Sequence, residues 1–169
     1  VGKSMAENTK IAGYSAEAVA KEDVNPVYEI KFGICTAGRK KADSPESITT
    51  VVVKDAESLS VSIDGSMEEW KPMDQGGWTR RLMTAKSIGI SMGGKRNYGD
   101  PGNDYVASLA TKTGQDCNTW LSIIFPNLDQ LIIPAVINVT SMAGDSTSTE
   151  ALEWEAQSDG RPTYIEHAS

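Results

Sequence analysis

Few residues of this 169-residue chain have types and spacings that suit catalysis. Glu153 and Glu155 lie in an alternating stretch, so on a β-strand they would share one face with Cα atoms roughly 7 Å apart. Two carboxylates at about this separation can act as the acid and the base of a glycosidase. The same spacing is typical of a solvated acidic stripe, and no other residues predict a substrate cleft. The acidic stripe is therefore the preferred interpretation.

The remaining reactive residues do not form a recognisable site. His167 is the only histidine, and near the C-terminus it would lack the partner that orients a general base. Cys35 and Cys117 are far apart in sequence, and one histidine cannot complete a tetrahedral zinc site with them, so both are interpreted as reduced packing residues. Val1-Gly2-Lys3-Ser4 resembles the end of a phosphate-binding loop but lacks its first glycine and preceding strand. We expect no enzymatic activity, no metal and no cofactor.

Composition and charge exclude several further classes of protein. Hydrophobic residues make up 39% and charged residues 23% of the chain, which favours one folded domain over residues 1–169. The net charge of −7 is the wrong sign for tight binding to nucleic acid. The longest apolar run, residues 131–137, is too short to span a membrane, and the N-terminus lacks the apolar segment of a secretory signal. Synthesis in the cytoplasm and no membrane partner are expected.

Two segments are predicted to lie outside the folded core and to have no regular secondary structure. Residues 1–27 are polar and without periodicity, and Pro26 follows Val24 at their end, so they are predicted to form an extended arm. Residues 36–47 combine turn-forming residues with the basic triplet Arg39, Lys40 and Lys41, which predicts a long surface loop.

The body is dominated by period-two patterns. Alternation of apolar and polar residues over 59–64 and 87–93 predicts strands with one buried face. A helix of about three turns is predicted from the cap Asp100-Pro101 to the stop at Gly114. Many short strands and one helix indicate a mainly β fold, either a two-sheet β-sandwich or a partly closed barrel. Further strands are predicted at 28–34, 48–53, 120–125, 131–139 and 151–157.

The stretch from Leu59 to Gln157 resembles the tail tube, or major tail, proteins of long-tailed bacteriophages. The resemblance rests on the combination of its motifs and on their order. These are Ser62-Ile63-Asp64-Gly65, Glu69-Trp70-Lys71-Pro72-Met73-Asp74, the run from Gly77 to Lys86, Gly94-Lys95-Arg96-Asn97, the run from Gly99 to Val106, Phe125-Pro126-Asn127, Asn138-Val139-Thr140 and Leu152-Glu153-Trp154-Glu155.

This resemblance implies a structural virion protein of two packed sheets flanked by a helix. Six copies would form a ring, and stacked rings would form the tube through which DNA passes without tight binding. Its partners would be further copies of itself and the tail completion, tape-measure and baseplate proteins, and its location the virion tail. The arm and the loop would bridge adjacent rings through Val24, Pro26, Arg39, Lys40 and Lys41.

Once the apolar sides of the strands are buried, their other faces carry residues that are small, polar or acidic. A wall along which DNA slides must avoid contacts between cations and phosphates, because each one releases counterions and adds affinity. The alternative is the outer face of an ordinary sandwich, where lysines are usually interspersed. The predicted lumen residues are Ser60, Ser62, Asp64, Ser87, Gly89, Ser91, Asn138, Thr140, Glu153, Glu155 and Gln157.

Two other functions remain open at this stage. The inner tube of a contractile phage tail, or of a phage-derived bacteriocin, would share the fold and would co-assemble with a sheath protein. A carbohydrate-binding adhesin would instead be a soluble monomer that uses the tryptophans Trp70, Trp78, Trp120 and Trp154. We expect Trp120 and Trp154 to pack in the core or at a subunit contact, because both lie in strand patterns.

Overall fold

A computed structural model describes residues 11–12, 24–41 and 43–166 of the chain. Most of the predicted arm and the predicted tail residue His167 lie outside the described residues. The described part is mainly β with one α-helix, which confirms the predicted class. The strands are β1 Ile11–Ala12, β2 Lys31–Ile34, β3 Thr50–Val52, β4 Ala56–Trp70, β5 Arg80–Lys95, β6 Asn118–Ile124, β7 Gln130–Ala143, β8 Ala151–Ser158 and β9 Thr163–Ile165, and the α-helix is α1 Pro101–Ser108.

All the described strands join one hydrogen-bonded sheet in the order β1-β3-β2-β6-β7-β8-β5-β4, and β9 pairs with β7. The expectation of two separate sheets is not confirmed, because the ladder is continuous. The sheet bends strongly, since the rings of Phe32 on β2 and Trp154 on β8 have centroids 5.7 Å apart. In a flat sheet these strands would be about 14 Å apart, because β6 and β7 lie between them and each strand adds about 4.8 Å.

The main core fills the inside of this bend. Every strand from β2 to β8 contributes to it or packs against it, and α1 adds Val106. Ile34, Leu121 and Ile123 are fully buried at its centre. Period-two alternation on β5 and β8 places their apolar residues here, as the sequence predicts. No helix of the described residues is long and apolar enough to cross a membrane.

The helix begins where predicted and ends earlier. The carboxylate of Asp100 accepts a hydrogen bond from the backbone N–H of Asn103, and Pro101 occupies the first turn, as in many helix N-termini. The α-helix stops at Ser108 and continues only as a 3₁₀ turn over Leu109–Thr111. The predicted stop at Gly114 is therefore several residues too late.

Asn103 fastens the start of the helix to the sheet. Its buried side chain donates to the carbonyl oxygens of Lys54 and Lys95 at 3.1 and 2.9 Å, and accepts from the backbone N–H of Asn97 at 3.0 Å. Asp100 also accepts from the backbone N–H of Lys54. These bonds fix the segment just before β4 against the end of β5.

Candidate functional site

The register of four neighbouring strands collects the predicted lumen residues on one surface. Ser60, Ser91, Glu155 and Asn138 are successive cross-strand partners on β4, β5, β8 and β7. Two parallel rows flank this row on the same face, because residues two apart on a strand point the same way. They are Ser62, Gly89, Gln157 and Val136 on one side and Ser58, Gly93, Glu153 and Ser141 on the other. On β7 an irregularity between Val139 and Ser141 adds one residue, so that Ser141 takes the place next to Asn138. We call these three rows, together with Asp64, Ser87 and Thr140, the polar face.

Exposure separates the polar face from its reverse side. Ser60, Ser62 and Glu153 are exposed, and Glu155 is half-buried. The alternating residues point into the core, where Ile90 and Trp154 are 2% and 3% exposed. The remaining predicted lumen residues, Asp64, Ser87, Ser91, Asn138, Thr140 and Gln157, are exposed as well.

Small residues leave the middle of the polar face without long side chains. A Cβ atom at Gly93 would lie 3.1 Å from the Ser58 hydroxyl oxygen, and one at Gly89 would lie 3.4 Å from that of Ser62. The serines of β4 thus lean over positions where β5 has no side chain. A shallow groove of about 250 Å³ remains above Ser60, Thr140 and Glu153.

The polar face is neutral to acidic. Its charged members are Asp64, Glu153 and Glu155, and the amide of Asn138 donates to a carboxylate oxygen of Glu155 at 3.1 Å. The next residue along β5 at the end of this face is Lys95, whose Nζ lies 4.0 Å from a carboxylate oxygen of Glu57. A phosphate backbone passing this surface would therefore meet few cations.

Both lateral edges of this four-stranded array are unpaired among the described strands. β4 ends the strand order of the sheet. On the far side, β6 pairs with β7 only as far as Val136, so Ile137–Ala143 bond to β8 alone. An edge strand presents free N–H and C=O groups that favour pairing with another chain.

The residues predicted to bridge rings occupy two places. Lys40 and Lys41 are exposed on the loop, and Val24 and Pro26 are exposed before β2. Arg39 instead bonds within the chain, where its guanidinium pairs with the Asp159 carboxylate, donates to the Asp159 carbonyl at 3.2 Å, and leaves its side chain 13% exposed. Arg39 therefore holds its loop against the end of β8.

The candidate catalytic and metal-binding residues do not converge. No group of three His, Cys, Asp or Glu side chains in the described parts of the chain could hold a metal ion. Cys35 and Cys117 are buried free thiols, and burial raises the pKa of Cys35. Trp120 and Trp154 are buried, as predicted, whereas Trp70 and Trp78 are exposed near the end of the β4–β5 hairpin.

No protein-family model and no curated protein matches this sequence. The fold does match solved structures. It is similar to the fold of a chain from a gene transfer agent tail.

The first match is a chain in the tail of an empty gene transfer agent particle with C6 symmetry, at 16% identity and a TM-score of 0.62. The second comes from the virion of a native gene transfer agent particle, at 14% identity and a TM-score of 0.60. Each match covers 84% of this chain and 99% of the other chain. At such low identity the likeness concerns the fold alone.

Proposed function

We propose that this chain is a structural, non-enzymatic tail tube protein of a phage or phage-like particle. Copies assemble into hexameric rings, the rings stack into the tail tube of the virion, and DNA leaves through the channel. The proposal is carried by one observation, a four-stranded polar face without basic residues, bounded by two free strand edges. The shared fold with a chain from a C6-symmetric tail supports it.

Ring closure is the arrangement that uses both edges. The free edge of β4 in one copy would pair with the Ile137–Ala143 edge of β7 in the next, so that neither stays exposed to water. The polar faces of all copies would then form the inner wall. The bent sheet of each copy, a partly closed barrel with α1 on its flank, would form the outer wall.

The polar face suits passage of DNA. On β4 and β5, the small hydroxyl groups and glycines over 58–62 and 89–93 leave no long side chain to obstruct a stiff duplex. Asp64, Glu153 and Glu155 repel phosphate groups, so the moving DNA does not form ion pairs that must be broken at every step.

Negative-stain electron microscopy of the purified full-length protein tests the assembly. We expect rings with six-fold symmetry, or tubes with an axial channel, at high protein concentration. Monomers at every concentration would contradict the proposal and favour the adhesin alternative. Co-assembly with a sheath protein would assign the tube to the contractile class.

A further inference from the structure

The sequence contains two Asp–Gly dipeptides, Asp64-Gly65 and Asp159-Gly160. In such a dipeptide the backbone nitrogen of the glycine can attack the side-chain carboxyl carbon of the aspartate, because glycine has no side chain to obstruct the approach. The two dipeptides have different surroundings. Asp64-Gly65 lies within the β4–β5 ladder, where both residues are paired with β5, whereas Asp159-Gly160 follows the end of β8 and belongs to no strand.

The backbone after β8 leaves the nitrogen of Gly160 open to this reaction. Gly160 is exposed, and its φ of 119° is a conformation that favours glycine. A Cβ atom placed on it would meet only the Cγ atom of Pro134, at 3.7 Å. The N–H of Gly160 donates no hydrogen bond to the described residues. The attacking nitrogen is therefore neither shielded nor bonded.

Asp159, by contrast, is held at three points. Its N–H donates to the carbonyl oxygen of Pro134 at 2.8 Å. The guanidinium of Arg39 donates to the Asp159 carbonyl oxygen at 3.2 Å and also pairs with the Asp159 carboxylate. That carbonyl belongs to the same planar peptide group as the Gly160 nitrogen. One guanidinium thus holds both groups that must approach each other, the carboxylate and the peptide.

The reaction exchanges one main-chain bond for another and needs only water. The Gly160 nitrogen gives up its proton and bonds to the carboxyl carbon of Asp159, and one carboxylate oxygen takes that proton and one from solvent and leaves as water. Water then adds to the main-chain carbonyl carbon of the resulting succinimide ring. The bond from that carbon to the nitrogen breaks, the nitrogen regains a proton, and the new carboxyl group returns one to solvent. The product is isoaspartate, which has the same mass and one more carbon in the main chain.

We propose that Asp159-Gly160 is a site of isoaspartate formation and that Arg39 is a positioning residue that slows it. All the groups involved lie in one chain, so the inference does not depend on whether the protein forms tubes. The longer main chain would move the carboxylate away from the guanidinium. Arg39 would then no longer hold the loop of residues 36–47 against the end of β8, and a single modified residue would release this loop.

Peptide mapping of the aged, unassembled full-length protein tests the role of Arg39. Mass spectrometry with electron-transfer fragmentation distinguishes isoaspartate from aspartate at each position. We expect isoaspartate at position 159 to form roughly threefold to tenfold faster in Arg39→Gln, because Asp159 loses its ion pair and the hydrogen bond to its carbonyl. Arg39→Lys keeps the charge without two donors in one plane and should give an intermediate rate.

Two controls accompany this comparison. Lys40→Ser, at the exposed neighbouring position, should isomerise at the wild-type rate. Isoaspartate at position 64 should form equally slowly in all the folded samples, because Arg39 does not contact that dipeptide. Equal rates at position 159 in the wild type and in Arg39→Gln would overturn the role of Arg39.

The wild type also provides a readout that needs no variant, which matters if Arg39→Gln fails to fold by circular dichroism. Isomerisation at position 159 should be several times faster in urea than in buffer, because the unfolded chain lacks the contacts of Arg39. Equal rates in the folded and unfolded wild type would overturn the protection of this site.

Limited digestion with trypsin follows the loop itself. We expect cleavage after Lys40 and Lys41 to rise with the isoaspartate content of the aged, folded protein. Asp159→Glu keeps a carboxylate but cannot form the same ring, because its side chain is one carbon longer, so ageing should not increase its cleavage. An equal rise in aged Asp159→Glu would overturn the link between the modification and release of the loop.

Discussion

At the residue scale, two neighbouring residues make the junction where α1 meets the sheet intolerant of substitution. Gly102 is packed so closely that an added Cβ would lie 2.4 Å from the carbonyl oxygen of Val52. Asn103, next to it, is 1% exposed and makes several hydrogen bonds to the backbone. Neither role can be read from the sequence, where both residues look like ordinary members of a helix N-terminus.

Substitutions at this junction should therefore be costly. Gly102→Ala should lower the free energy of unfolding by about 3 kcal/mol, because the clash is with backbone that cannot rotate away. Asn103→Ala should lower it by about 3 kcal/mol, because the partly buried carbonyl groups of Lys54 and Lys95 lose their donor. Urea unfolding of the unassembled subunit, followed by tryptophan fluorescence, measures both.

Ser108→Ala, on the exposed end of the same helix, is the matched control and should change the unfolding free energy by less than about 0.5 kcal/mol. Equal stability of Gly102→Ala and the control would show that the close approach to Val52 is absent.

Tyr164 on β9 gives a prediction about pH. Its hydroxyl donates to the carboxylate of Asp129, and this hydrogen bond raises the pKa of Tyr164 to about 12. The folded chain thus holds the proton more tightly than the unfolded chain, whose tyrosine pKa is about 10. The stabilisation is complete below about pH 10 and is lost as the pH rises through about 12.

An NMR titration of the tyrosine Cζ resonances measures this shift. Asp129→Asn removes the negative charge, so the Tyr164 midpoint should move down towards 10. Asp145→Asn, in a turn elsewhere, should leave it in place. A midpoint near 10 in the unmodified protein would contradict the hydrogen bond.

At the element scale, the sequence predicts the strands of the body well and the distal half of the β4–β5 hairpin, residues 65–86, poorly. Alternation predicts strands with one buried face at 59–64 and 87–93. The buried face is found on β5, at Ile88, Ile90 and Met92, whereas on β4 Val61 and Ile63 are exposed and Leu59 is half-buried. The actual strands, Ala56–Trp70 and Arg80–Lys95, extend well past these limits. The pairing register shifts between Ser66 and Met67, so alternation across the pair is interrupted there. Beyond that point Met67 and Met83 are exposed, so burial no longer shapes the pattern of residues there.

The loop of residues 36–47 was predicted as a surface loop, and its described residues contain no helix or strand. The sequence could not indicate that the three basic residues of this loop differ in their contacts. Arg39 forms an ion pair with Asp159, which lies 120 positions away in sequence, and only the folded chain brings the two together. Lys40 and Lys41 remain exposed and available to a neighbouring subunit.

The double variant Lys40→Ser and Lys41→Ser should therefore weaken stacking without weakening the subunit. Single exposed ion pairs contribute under about 1 kcal/mol, but every subunit of a ring repeats them. We expect reduced assembly at low salt and a smaller difference at high salt, measured by sedimentation over a salt series. Lys112→Ser, at another exposed lysine, is the control. Assembly that equals wild type at all salt concentrations would remove these lysines from the ring contacts.

At the scale of the whole molecule, the sequence predicted most residues of the polar face but not the reason that they meet, and it did not indicate Ser58, Gly93, Val136 or Ser141. Period-two patterns show which side of each strand is polar. They do not show that β5 and β8, distant in sequence, become neighbours and align Ser91 with Glu155. That register depends on long-range pairing, which fixes the four strands into one wall.

The double variant Glu153→Lys and Glu155→Lys tests the acidic wall. Tubes should still assemble, but they should now retain DNA, because lysines at the inner surface neutralise phosphates. Co-sedimentation of tubes with short duplex DNA, repeated over a salt series, measures retention. We expect strong retention at low salt and release as salt rises.

Asp116→Lys with Asp145→Lys gives the same charge change at exposed positions outside the polar face. This control should not trap DNA inside the tube, judged by protection of the DNA from nuclease. Equal protection by both double variants would place Glu153 and Glu155 away from the channel.

The number of strands in the four-stranded array, which is even, also has a consequence for ring assembly. β4, β5, β8 and β7 alternate in direction, so its two free edges run in opposite directions. Because the number of strands is even, edge-to-edge joining of identical copies gives antiparallel pairing at every seam, whatever the number of copies. An odd number would force a parallel seam between subunits. The hydrogen-bonding pattern is therefore indifferent to ring size, and the number of subunits must be set by the curvature of the wall, through the twist of the strands and the angle at each seam.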